Sequence, residues 1–235
     1  MAVVLGHLPV GLVFVHNMNA ANPIEGGTFR FGTEYTPKQI HRWSADNQPP
    51  LLRPVGWSPL KQLMFVARMS GVVEPEWLSV ISVRVGRVPP GGGTAECYVT
   101  VLEDDKPVLR VDVYAYGPDC FAFQDAIVWR DNLIVGFGSH VHAIALADRS
   151  ATTVALESYF GHVYPTRDYL LLASGERLFR MEPDRSILWK SEPLGIDGVV
   201  VREPGPTVVR GEGEWDPPGG WRPFAVFAID GRPAS

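Results

Sequence analysis

Two stretches in the second half of the chain follow one plan, and that plan limits the folds open to it. Asp131 to Arg149 reads DNLIVGFGSHVHAIALADR, and Asp168 to Arg185 reads DYLLLASGERLFRMEPDR. With one gap they align throughout: an opening Asp, an apolar run, a small-residue turn, an alternating run and a closing Asp-Arg. A looser third copy, Val208 to Arg232, closes on Asp230-Gly231-Arg232. The closing aspartates Asp148, Asp184 and Asp230 lie 36 and then 46 positions apart. A spacing of this size, filled with short strands, points to four-stranded units arrayed side by side.

The strands between and before these units follow the same grammar. Leu78–Val88, Cys97–Glu103, Val108–Tyr116 and Ile127–Arg130 read as strands, and so do Thr152–Glu157 and Ile187–Lys190. In Val108–Tyr116, Leu109, Val111, Val113 and Ala115 face one way. Arg110, Asp112 and Tyr114 face the other, as in a half-buried antiparallel strand. Asp104-Asp105-Lys106 is a hairpin turn, and Gly136-Phe137-Gly138 and Ser174-Gly175 read as turns as well. The third unit lacks an outer strand, so its edge needs a cover, and Val10–Val15 is the natural candidate.

Helix signals are confined to the N-terminal third. A short helix is expected at Pro37–Trp43. A more substantial one is expected at Leu60–Met69, with Ser58 as cap, Pro59 in the first turn and Leu60, Leu63, Met64 and Ala67 on one face. The expectation is therefore an all-β, mainly antiparallel fold with one or two short helices. It forms a single domain over 1–235, irregular α+β to about residue 77 and β-repeat from about 78 onward. At 235 residues such a domain supports its own core.

The blade-like units of residues 119–232 resemble β-propeller blades of the quinoprotein-like kind. The resemblance implies a partial or small propeller-like array, with three visible units and residues 78–116 as a diverged fourth or the array left open.

Charge and cysteine content narrow the function classes. The net charge of −5, with no run of five basic residues, argues against nucleic acid as a partner. Val10–Val15 is too short to span a bilayer, and no Lys or Arg precedes it as in a secretory leader, so the chain reads as cytoplasmic with no membrane partner. Cys97 and Cys120 lie in or beside strand-like runs and read as two buried thiols, with a bridge between them as the alternative.

Two groups of residues carry chemistry. The first is His140, His142 and His162. His140 and His142 alternate onto one strand face, and with His162 they make a workable three-nitrogen zinc set. Without a metal they are candidates for acid–base work, and ordinary structural histidines are the third reading. The second is the segment Glu212 to Trp221, which makes the third unit ten residues longer than the second. It reads as an inserted loop, with Glu212, Glu214, Trp215, Asp216 and Trp221 as binding residues and Asp197 as a further carboxylate.

No nucleophile elbow, phosphate loop or dinucleotide fingerprint is present. The leading expectation is a recognition protein, adaptor- or immunity-like and bacterial, that binds a protein partner through loops on one face and needs no cofactor. The alternative is a small-molecule hydrolase, lyase or cyclase. It would use His140, His142 or His162 with Asp197 or Glu214, assisted by zinc or another divalent metal.

Overall fold

Apolar runs in which every residue is hydrophobic form strands with cores on both sides, and two such strands organise this fold. The computed structural model describes residues 65–117, 123–215 and 219–234, which belong to one compact unit spanning residues 63–235. The first sheet contains β1 (Phe65–Ser70), β2 (Ser82–Gly86), β3 (Cys97–Glu103) and β4 (Lys106–Tyr114), in the order β1-β3-β4-β2 with β2 parallel to β4. The second is an antiparallel meander of β5 (Asp125–Trp129), β6 (Asn132–Phe137), β7 (His140–Ala145) and β8 (Ala151–Ala155). The third, β9 (Phe160–Pro165), β10 (Leu170–Ser174), β11 (Leu178–Met181) and β12 (Ile187–Lys190), has the same order. The fourth has three strands, β13 (Val199–Pro204), β14 (Val208–Trp215) and β15 (Gly220–Phe227). The described residues are thus all-β and mostly antiparallel.

Alternation along the central strands distributes side chains between neighbouring sheets. On β6, Leu133, Val135 and Phe137 enter the core shared with the first sheet, while Ile134 enters the core shared with the third. On β10, Leu170 and Leu172 face the second sheet, while Leu171 and Ala173 face the fourth. This explains why LIV and LLLA read as unbroken apolar runs rather than as alternating ones. Three cores therefore join the sheets in chain order, first to second, second to third and third to fourth.

Polar ties fix the second, third and fourth sheets against one another. The Trp129 indole donates to the Thr166 carbonyl at 2.9 Å and the Tyr169 hydroxyl to the Gly205 carbonyl at 2.7 Å. The Trp189 indole donates to the Ala228 carbonyl at 2.9 Å. Each bond satisfies a polar atom that aromatic burial would otherwise leave unpaired.

The Asp-Arg endings are turns with one shared mechanism. Asp148 Oδ1 accepts from the Ser150 amide at 2.9 Å and its hydroxyl at 2.7 Å, and Asp184 Oδ1 accepts from Ser186 at 3.0 and 2.6 Å. These bonds hold both carboxyls below their ordinary pKa. The residue between takes a left-handed φ, 62° at Arg149 and 72° at Arg185. In the fourth sheet Asp230 Oδ1 accepts from the Arg232 amide at 3.1 Å, with Gly231 at φ 71°.

Several expectations need correction. Phe65–Met69, the described part of the expected helix, lies in β1 and pairs with β3 from Phe65↔Glu103 onward. Phe65, Ala67 and Met69 reach the first core from alternate positions, so sheet pairing overrode a local helical spacing. The only helix among the described residues is the 3-10 turn Pro75–Trp77, so none there is long and apolar enough to cross a membrane. Residues 60–64, the expected helix at Pro37–Trp43 and the expected strand at Val10–Val15 lie outside the described residues, as does Cys120.

The second face of β4 is covered rather than half-solvated. Arg110 pairs with buried Asp112 at 2.8 Å and donates to the Trp77 carbonyl at 2.9 Å. Asp104 and Asp105 do form the β3–β4 turn, at φ 46° and 64°, as a two-residue hairpin requires. Cys97 is a free, buried thiol whose pKa burial pushes up to about 12.

Gly136 belongs to β6 and not to a turn. A Cβ there would sit 2.2 Å from the buried Phe160 ring, so the glycine is what lets that ring close the core between the second and third sheets. Gly136→Ala is therefore expected to destabilise the protein by about 1–3 kcal/mol through overpacking. Urea unfolding checks this, and Phe160→Leu in the same chain should recover part of the loss.

Candidate functional site

Strands of the third and fourth sheets and the segments beside them, with Phe123 from the segment before β5, line a cleft of about 370 Å³. Its side-chain walls include Phe123, Tyr159, His162, Asp197, Glu214 and Trp221. Backbone bonds fix the segment that carries Asp197 along β14. Ile196 N donates to the Glu214 carbonyl at 2.7 Å, and Glu214 N donates to the Gly198 carbonyl at 2.8 Å. Leu194 N donates to the Glu176 carbonyl at 2.8 Å, tying the same segment to the third sheet. The Tyr159 hydroxyl donates to the Asp197 carbonyl at 2.6 Å and lies 3.3 Å from its Oδ1.

The Gly-Glu-Gly-Glu run makes this arrangement sterically feasible. A Cβ at Gly213 would stand 1.7 Å from the Leu194 carbonyl oxygen, so only glycine admits the neighbouring segment. Gly213 lies against the segment, and Glu214 next to it lines the cleft.

Within the Glu212–Trp221 segment, Glu212 to Trp215 lie in β14 and Gly220 and Trp221 in β15, and not in an inserted loop. β14 and β15 stay in register from Val208↔Phe227 to Trp215↔Gly220, so the added residues lengthen two strands. Gly213, inside the segment expected to be a loop, serves close backbone approach within a strand. The elongation brings Glu214 and Trp221 opposite each other, as directly paired residues at the cleft. Glu212 pairs instead with Arg202 at 2.9 Å, and the Arg222 guanidinium lies 5.8 Å from the Trp215 ring centre. Asp216 lies outside the described residues.

The three histidines fall into two separate environments. His162 on β9 is paired with Ala173, whose side chain faces the fourth sheet, and its ring lies 5.3 Å from Phe123 and 6.2 Å from Tyr164. His140 and His142 share a face of β7, with nearly parallel rings 6.4 Å apart. That face carries Ile144 into the core shared with the first sheet, and Tyr116 stacks on His140 at 3.9 Å.

The zinc set of His140, His142 and His162 is therefore not brought together, because β7 and β9 belong to different sheets and present these rings to different neighbours. Among the described residues no three His, Cys, Asp or Glu side chains converge as a metal site. For the acid–base alternative the structure unites His162 with Asp197 and Glu214, and leaves His140 and His142 elsewhere.

Phe123 and Tyr159 complete the cleft without having been singled out from the sequence. The aromatic cluster Tyr159-Phe160-Gly161-His162 beside a turn was the available signal for Tyr159. Phe123 carried none, since its place depends on packing against Tyr159, 6.1 Å between ring centres.

His142 is 1% exposed, and its Nδ1 lies 2.9 Å from the Thr153 hydroxyl. Burial, reinforced by the neighbouring His140 charge, lowers its pKa from 6.5 to about 4. The unfolded chain takes up this proton more readily than the folded one, so the stabilising difference is complete above pH 6.5 and is lost as pH falls toward 4. The loss is expected to reach about 3 kcal/mol. Urea midpoints measured between pH 7 and pH 4.5 should decline in wild type and flatten in His142→Asn.

No protein-family model matches the chain, and no curated protein matches it, so the functional reading rests on this cleft and its surroundings.

Proposed function

We propose that this protein is a recognition module that binds a protein partner through the residues around the cleft between its third and fourth sheets. The observation that carries this reading is the meeting of solvent-exposed aromatic side chains with carboxylates on a rigid sheet end. Phe123 is 43% and Trp221 49% exposed beside Asp197 and Glu214. Large aromatics with an apolar body at the surface are the common anchors of protein interfaces. Turns held on a fixed scaffold are where binding residues concentrate. An adaptor- or immunity-type role in a bacterial cytoplasm suits a domain of this size and acidity, and the free thiol of Cys97 suits a reducing compartment.

The four sheets are read as blades of an open, propeller-like array. Support comes from the serial cores, the two meanders of identical strand order and the recurring aspartate turns. The binding surface would then lie at one end of the array, where turns from adjacent blades converge.

One observation favours a second reading. His162, Asp197 and Glu214 share the cleft, which supplies a base and two carboxylates for acid–base catalysis on a small molecule. Hydrolase, lyase or cyclase chemistry is the class this set would serve.

Peptide selection separates the two readings. A displayed random-peptide library should yield sequences that bind wild type and fail to bind Trp221→Ala. That variant should keep its unfolding free energy within about 1 kcal/mol, because the ring is half-exposed. Selected peptides that bind the variant equally well would remove the cleft from the recognition surface. Turnover of a small-molecule panel, abolished by His162→Ala, would put the enzymatic reading first.

A further inference from the structure

The charge pattern of the cleft identifies the kind of group it receives. Among the described residues, Asp197 and Glu214 are the acidic side chains that line it, and neither Lys nor Arg does. Elsewhere among the described residues many surface carboxylates are paired, as Glu157 is with Lys190, Glu203 with Arg210 and Glu212 with Arg202. None of the ion pairs among the described residues uses Asp197 or Glu214.

Three aromatic walls surround these carboxylates: Phe123, Tyr159 and Trp221. At the base lies Gly198, where a Cβ would stand 3.0 Å from the Trp221 ring and 3.6 Å from Glu214 Oε2. The edge of the indole and the Glu214 carboxylate thus both lie close beside the Gly198 backbone. Aromatic rings and two carboxylates lining one cleft favour a cation, which ring faces attract through their quadrupoles and the carboxylates through charge. An anion would meet two like charges, and a neutral apolar group would leave Glu214 desolvated without a partner.

We infer that the cleft recognises a protonated basic side chain, lysine or arginine, presented by the protein partner. This rests on the recognition reading above and gives that partner a chemistry. Arginine would stack its guanidinium on an aromatic face while donating to Glu214, whereas lysine would place a compact ammonium between the walls.

The test uses the whole protein and fluorescein-labelled pentapeptides, with binding read by fluorescence polarisation. The central residue is Lys or Arg, or the neutral isosteres norleucine or citrulline. A cationic peptide should bind at least about tenfold more tightly than its neutral counterpart and weaken as salt is raised. Glu214→Gln should remove most of that preference, and Gly198→Ala should weaken binding because its methyl group would press on the Trp221 ring. Glu212→Gln, one strand position pair away and engaged with Arg202, should change nothing.

Equal binding of charged and neutral peptides, or unchanged preference in a folded Glu214→Gln protein, overturns the cation inference and leaves the recognition reading standing. Absence of binding by every basic peptide at millimolar concentration also overturns it. The recognition reading itself falls only if selected library peptides ignore the cleft.

Discussion

Burial of β6 and β10 on both faces is the constraint on which the other features depend. A strand with one solvated face can end a stack, but a strand with apolar residues on both faces requires a sheet on each side. Leu133, Val135 and Phe137 need the first sheet while Ile134 needs the third, and Leu171 and Ala173 need the fourth. Side chains fully removed from water contribute roughly 1.5–3 kcal/mol each, so separating any neighbouring pair of sheets exposes several such contributions together. The serial order of the sheets follows from this requirement and needs no long-range connection, because each core joins segments close in sequence.

The cleft inherits its rigidity from that stacking. Its walls come from the third sheet, through Tyr159 and His162, and from the fourth, through Glu214 and Trp221. The shared core of Leu171, Leu178, Trp189 and Val209 holds those sheets at a fixed separation. The Asp197 segment bridges them, bonded to Glu176 of one and Glu214 of the other. The Asp197 segment is thus held in place by backbone hydrogen bonds, and fixing a segment in advance removes an ordering cost that commonly erodes affinity.

Two histidine environments show how the same residue type is put to different uses. His142 is enclosed and held neutral, paired with Thr153 under a stacked aromatic layer, and serves packing in the core of the first and second sheets. His162 stands exposed at the cleft beside Phe123. Sequence alternation placed His140 and His142 on one face, but alternation within a strand carries no information about which sheet lies opposite.

Strand content was legible from residues alone because it rests on local periodicity. Cys97–Glu103 and Ile187–Lys190 fall where the sequence places them, the two-residue turn at Asp104-Asp105 is present, and the aspartate turns join the last two strands of the second and third sheets. Four of the six side chains named at the cleft were legible as well, Glu214, Trp221, Asp197 and His162. What remained hidden was decided by neighbours distant in sequence. Phe65–Met69 became a strand because β3 offered it hydrogen bonds and a core, and Gly136 became a strand residue because Phe160 occupies the space of its missing side chain. Gly213 falls in the segment read as an inserted loop although it lies in β14, since glycine signals backbone freedom in a turn and close packing in a sheet with equal force. The sequence by itself determined the strands and the chemistry available to them. Only the tertiary structure decided which side chains share a cavity, because that depends on the order and separation of sheets, a property of packing between segments and not of any one segment.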